Sequence, residues 1–304
     1  MSVYRGQVAE EALPVGERVR AGGFRVWRRL LRFVRRKPLG AFGLSLTVLL
    51  LVLALGANVF QVRNPLAPDY PERLQRPSLT HWFGTDGFGR DVYSRVLHAL
   101  RTSLGVSFGA LALGGVGGGL LGLISGYKLG RLDILIQRGV DVLMAFPTLV
   151  LALALVAAFE PSVPIVIGAI AVVLLPRVSR IVRGSAISLR EEQFVDAARA
   201  LGAQDLRIVG RHLLPNALSP WLVIVTAELG NAIIIESSLS YLGLGVQEPH
   251  PSLGTMLSAN VSHFMRLAPW LVIIPGIALS LAVFGLNIFG DALRDILDPR
   301  LRQR

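Results

Sequence analysis

The chain has 304 residues, of which 52% are hydrophobic and only 17% charged, where a soluble domain carries nearer a quarter charged residues. That balance excludes an ordinary two-domain soluble protein and points to a helical bundle whose outer packing layer is lipid. The net charge of +11 raises nucleic acid as a partner, but only Lys37 and Lys128 are lysines and the arginines cluster between apolar runs, where membrane proteins place cytoplasmic anchors, so nucleic acid is set aside.

Residues 1–22 show no periodic pattern and read as a tail. Trp27, Leu30, Leu31 and Val34 then fall at i, i+3, i+4, i+7, with Arg28, Arg29, Arg32, Arg35 and Arg36 on the other faces. This spacing predicts a basic amphipathic helix lying in the membrane interface, so residues 1–38 form a cytoplasmic segment. Residues 39–60 carry no charge, and at ~1.5 Å per residue they cross a ~30 Å hydrocarbon layer as a first anchor.

Residues 61–101 read as an extracytoplasmic segment. Gly84-Thr85-Asp86-Gly87 has turn composition, and Asp91 can cap the helix that follows. His81, Asp86 and Asp91 are possible metal ligands by type, but with no second histidine nearby turn chemistry is the better reading. There is no cysteine, which removes disulfides and thiolate metal sites. No metal site and no bound cofactor is expected.

Residues 102–304 hold five further apolar runs, at 102–127, 142–159, 163–182, 221–239 and 267–289. Gly114, Gly118, Gly122 and Gly126 recur every four residues in the first of these, a stripe that lets another helix approach closely and makes this helix central. Arg177 and Arg180 can snorkel from the far end of the 163–182 run. Glu228 and Glu236 fall inside the 221–239 run. Carboxylates are expensive in lipid, so both are expected to face the bundle as pathway-lining or structural groups. Six spans put both termini on one side. Counted that way, 24 of the 31 basic residues lie with the termini, which predicts cytoplasmic termini.

Between the fourth and fifth spans, residues 183–216 contain SLREEQFVDAARALGAQDLRIVGRHLLPN. Ser188 and Glu191 have capping-box spacing. Phe194, Ala197, Ala198 and Leu201 form one stripe, Gly202 supplies a left-handed stop, Asp205 can begin a second short helix and Pro215 is expected to close it. The pattern predicts two short helices with a glycine elbow, shaped to enter a groove on a partner.

Asp196-Ala197-Ala198, Gly202 and Leu214-Pro215 resemble the EAA loop of binding-protein-dependent ABC permeases, with Asp in place of the usual Glu. Three further segments resemble the dipeptide, oligopeptide and nickel permeases of the C type: HWFGTDGFGRDVYSRVLHALRTSL at 81–104, ESSLSYLGLGVQEPHPSLGTML at 236–257, and NIFGDALRDILDPRLR at 287–302. The resemblance implies an all-α integral membrane protein of about six transmembrane helices with the type I ABC importer permease fold. It implies that Glu192, Phe194, Asp196, Ala197, Ala198, Leu201, Gly202, Leu214 and Pro215 form the loop that engages an ATPase subunit. It also implies a homologous second permease subunit, two ATP-binding cassette subunits and an extracytoplasmic solute-binding protein as partners.

The chain has no GxxxxGK[ST], so it is expected to be no enzyme itself, with ATP and Mg used by the partner subunits. The alternative is an ion-gradient-driven secondary transporter using Glu228 and Glu236. An intramembrane enzyme has little to stand on, since the lone His212 lies in the loop. Peptides and nickel both remain open as cargo.

Overall fold

The computed structural model describes residues 38–258 and 264–297, the latter without side chains from 295 onward. The expected tail and amphipathic helix, and the end of the C-terminal segment, lie outside the described residues. Helix α1 (Pro38–Leu55) is followed by a short α2 (Ala57–Phe60), then by an irregular outer segment with one 3-10 turn (Tyr70–Glu72). The long α3 (Val92–Lys128) comes next, and after it α4 (Gly130–Met144), α5 (Thr148–Ala157) and α6 (Val163–Arg190). The elbow is α7 (Gln193–Ala200), α8 (Asp205–Ile208) and a wide π turn (Val209–Leu213), which runs on into α9 (Leu214–Ala227) and α10 (Leu229–Tyr241). A short α11 (Leu253–Met256) precedes α12 (Trp270–Leu297).

Among the described residues five helices are long and apolar enough to cross a membrane; α4 and α5 pass that test only together, and are bent by 91° at the break between them. The expected continuous span at 142–159 is therefore corrected. Phe146 precedes Pro147, and the proline ring disfavours helical backbone in the residue before it. The chain turns there, and the ten-residue α5 starts directly after the proline.

Helix α3 starts well before its apolar run. Asp91 caps it, accepting from Ser94 N–H at 2.9 Å. The outer segment folds over this end, with Leu74 N–H donating to Asp86 O at 3.1 Å and Trp270 Nε1–H to Thr85 O at 3.3 Å. Gly89, at φ +79°, lies so close to the Asp69 backbone that no Cβ fits.

The glycine stripe of α3 forms a seam with α6. A Cβ at Gly114 would sit 2.5 Å from Ala171 O, at Gly118 2.5 Å from Leu175 O, and at Gly126 2.6 Å from Arg183 O; Gly122 meets Ser179 O in the same way. Both partners step by four residues, so the two helices run alongside each other for three turns. On the neighbouring face the Trp221 ring of α9 takes the space a Cβ at Gly119 would need and donates Nε1–H to Gly115 O at 2.9 Å. Helices α1 and α12 pack on each other at Gly43 against Ile288 and at Gly285 against Leu46, which leaves α3 in the middle.

Candidate functional site

Helix α7 is the first part of the elbow. The expected capping box between Ser188 and Glu191 does not form, because α6 runs through to Arg190 and Ser188 Oγ donates back to Gly184 O at 3.3 Å. Glu192 precedes α7 without a side-chain cap. At the other end Gly202 is left-handed, φ +78°. Gly202 N–H donates to Arg199 O at 2.9 Å and Ala203 N–H to Ala198 O at 3.0 Å, the paired bonds of a Schellman stop. Pro215 does not close a helix. The π turn ahead of it, in which Leu214 N–H reaches back to Val209 O, widens the coil, and the chain continues into α9.

The apolar stripe divides on folding. Ala198 turns inward with Val195, into a cluster with Ile208 and Leu213. Phe194 and Ala197 stay on the surface, Leu201 is 88% exposed and Leu206 of α8 85% exposed. Leu214 is half-buried and Pro215 exposed, while Asp196 pairs on the surface with Arg199 at 3.3 Å. The elbow is tied to α3: Tyr127 O–H donates to Asp205 Oδ1 at 2.6 Å, Lys128 pairs with Asp205, and the Arg199 guanidinium lies 5.9 Å from the Tyr127 ring centre. Val195 and these tethers escaped the sequence reading. Val195 stands three residues before Ala198, a spacing that was available, whereas pairs some eighty residues apart carry no periodic signal.

Helix α6 carries three arginines at intervals of three, each paired with a carboxylate from another helix. Arg177 Nη1 donates to Glu228 Oε1 at 3.1 Å, Arg180 Nη2 to Asp141 Oδ1 at 2.6 Å, and Arg183 grips Asp133 with two bonds of 2.7 and 2.6 Å. Arg177 and Arg180, expected to snorkel from the far end of the 163–182 run, lie on a helix that continues to Arg190; both are paired, Arg177 with a buried carboxylate and Arg180 with one that is about half exposed.

Both intramembrane carboxylates lie within the bundle. Glu228 is 3% exposed, and its second oxygen accepts from Asn231 Nδ2 at 2.8 Å. Glu236 is fully buried and accepts from Ser240 Oγ at 2.8 Å and Ser237 Oγ at 3.2 Å. Beside it α11 is pinned by a capping box between Ser252 and Thr255 and by Leu253 N–H donating to Ser103 Oγ at 3.1 Å. His81 is clamped between Glu72 (2.9 Å) and Asp91 (3.2 Å), whereas Asp86 pairs with Arg90 at 2.7 Å. The trio is thereby divided, and the described residues hold no group of three or more His, Cys, Asp and Glu fit for a metal.

A bundle of apolar helices with ion pairs inside and an apolar elbow displayed at one end has the architecture of a multi-pass membrane transport component. Comparison with known proteins gives its family. The chain belongs to the binding-protein-dependent transport system inner membrane components, whose family profile matches residues 118–303. It is 41% identical over 276 residues to the dipeptide transport system permease protein DppC of Alkalihalophilus pseudofirmus, covering 91% of this chain and 90% of that one. It is 39% identical over 304 residues to the glutathione transport system permease protein GsiD of Escherichia coli, covering 98% of both. The probable D,D-dipeptide transport system permease protein DdpC of Escherichia coli is 37% identical over 272 residues, 90% of this chain and 91% of that one. Among solved structures, the MetNI methionine ABC transporter in inward facing conformations shares the fold, with a TM-score of 0.53 and 18% identity over 67% of this chain and 96% of that one. Membership of this family replaces the ion-gradient reading of Glu228 and Glu236.

Proposed function

We propose that the chain is the transmembrane permease subunit of an ATP-driven importer of di- or oligopeptides, coupled to separate ATPase subunits through the 183–216 loop. The carrying observation is the set of Phe194, Ala197, Leu201 and Leu206, apolar and exposed on an elbow that is fixed by a Schellman stop and tethered to α3. An apolar patch on a rigid, small-residue helix matches a groove in a partner protein. The working unit pairs this chain with a homologous permease, two ATP-binding cassette subunits and an extracytoplasmic binding protein. ATP and Mg are bound by the partners and not by this chain. The relatives' names favour peptides over nickel. In the reconstituted assembly, peptide-loaded binding protein is expected to raise ATP hydrolysis and drive peptide into the vesicles. Uptake that needs an ion gradient and persists without ATP would overturn the reading.

Both termini and the elbow face the cytoplasm in this reading, with the 61–91 segment outside. Thr85 and Ser252 are fully buried and make poor reporters, but Leu79 is 97% and Leu206 85% exposed. The chain has no cysteine of its own. In intact cells an impermeant thiol reagent should label Leu79→Cys and spare Leu206→Cys, and the reverse pattern would invert the topology.

A further inference from the structure

One cavity of ≈ 380 Å³ is lined by residues beside the bend at Phe146 and Pro147, by Pro176 within α6, and by Glu228 at the α9–α10 junction, where Ala232 N–H still donates to Glu228 O at 2.9 Å. At membrane depth, irregular backbone is tolerated only where protein covers it or where it lines a water-filled space. The cavity's polar members are Thr148, Arg177, Glu228 and Asn231, and the remaining wall is apolar, including Met144, Phe146 and Ile234. Its volume lies in the range of small-molecule sites.

Arg177 sits inside the 163–182 apolar run, five residues or about 8 Å from its inner end at ~1.5 Å per residue. Its side chain is nevertheless 62% exposed, while its partner Glu228 is 4% exposed. A half-uncovered guanidinium within an apolar run is unfavourable against lipid, so in the assembled transporter the face it presents meets water or the second permease. Glu228 has one oxygen on Arg177 and the other on Asn231. Arg177 gives it one N–H from Nη1, and among the described residues the guanidinium has no second carboxylate. The remaining N–H groups, in a fork suited to a carboxylate, are free to point into the cavity.

We propose that this cavity is a transit subsite for the cargo peptide, in which Arg177 receives the C-terminal carboxylate and the apolar wall receives a side chain. Glu228 and Asn231 position the guanidinium. Glu228 also offsets its charge, so that the carboxylate is held weakly enough to move on, as passage through a pore requires. The inference rests on the peptide-importer reading. The next two arginines along α6 are taken up by carboxylates of α4, Arg180 by Asp141 and Arg183 by Asp133.

The test uses the whole transporter, and two readouts separate the subsite from the function. A single cysteine in the cavity wall, Met144→Cys, is labelled by a small maleimide in the detergent-purified complex without binding protein. A dipeptide with a free C-terminus should slow labelling, and the same dipeptide as its C-terminal amide should protect about tenfold less well, the worth of one charged hydrogen-bonding partner. Adding Arg177→Gln should bring the acid down to the level of the amide, and Arg177→Lys should restore part of the difference. In proteoliposomes with saturating loaded binding protein, Arg177→Gln should slow import of the free acid about tenfold and leave import of the amide unchanged. Equal protection by acid and amide, or equal loss of both imports in Arg177→Gln, would overturn the subsite and leave the importer standing. A wild-type assembly that imports neither peptide would remove both.

Discussion

Valine in place of Gly118 should leave little assembled protein in the membrane. The new Cβ alone would lie 2.5 Å from Leu175 O and 3.1 Å from Val178 Cβ. The obstacle at Leu175 is backbone and not a flexible side-chain tip, so α3 and α6 must part along the whole seam. Overpacking a close contact costs roughly 1–3 kcal/mol and more where backbone must move, against a total stability of about 5–15 kcal/mol. Two glycines on the same helix serve as controls: a methyl added at Gly105 would meet nothing within 4 Å, and at Gly117 the nearest atom is Leu175 Cδ1 at 3.6 Å. Gly105→Ala and Gly117→Ala should extract as monodisperse protein in wild-type amounts. Wild-type recovery of Gly118→Val would show that the seam contributes nothing.

Gly202→Val should uncouple the transporter without unfolding it. Nothing lies within 4 Å of the position, so no clash arises and the penalty is that of holding a branched residue left-handed, about 1–2 kcal/mol. That is enough to release the stop between α7 and α8 while the spans stay inserted. The ATPase subunits should co-purify poorly, and hydrolysis stimulated by loaded binding protein should fall several-fold. Gly202→Asn should retain most of both, since asparagine tolerates the left-handed region. Leu201→Glu and Ala197→Glu should act similarly by placing charge in the contact. Arg199 is a poor neutral control because it ties α7 to Tyr127 and Asp196. Leu79→Glu is better, an equally exposed leucine at the far end of the molecule. Normal co-purification in Gly202→Val would make the elbow a plain connector.

What the sequence disclosed about these elements follows from range. The α3 stripe, the left-handed Gly202 and the Asp91 cap are local patterns and were legible as such. The bend at Phe146 was signalled by Pro147 but hidden by an uncharged run of span length, because composition reports solvent preference and not direction. Ser188 and Glu191 have the spacing of a cap, yet Ser188 lies in the last turn of α6 and Glu191 just past its end, where no orphan amides await a cap. The face of α7 that points outward was undecided in sequence, since Val195 and Ala198 compete with Phe194 and Leu201 for the core. The arginine partners on α6 were unreadable. Arg177 and Glu228 meet only because α6 and the α9–α10 junction are neighbours in space.

The α3–α6 seam sets unequal terms for the two helices that share it. On the α3 side the requirement is the absence of a side chain. On the α6 side the contacts at Ala171, Leu175, Ser179 and Arg183 fall on carbonyl oxygens, which every residue type possesses. No change of residue on α6 can therefore make room for a lost glycine, and second-site suppressors of a seam defect are not to be sought there. The same geometry lets Arg183 serve Asp133 with its side chain while its backbone serves Gly126.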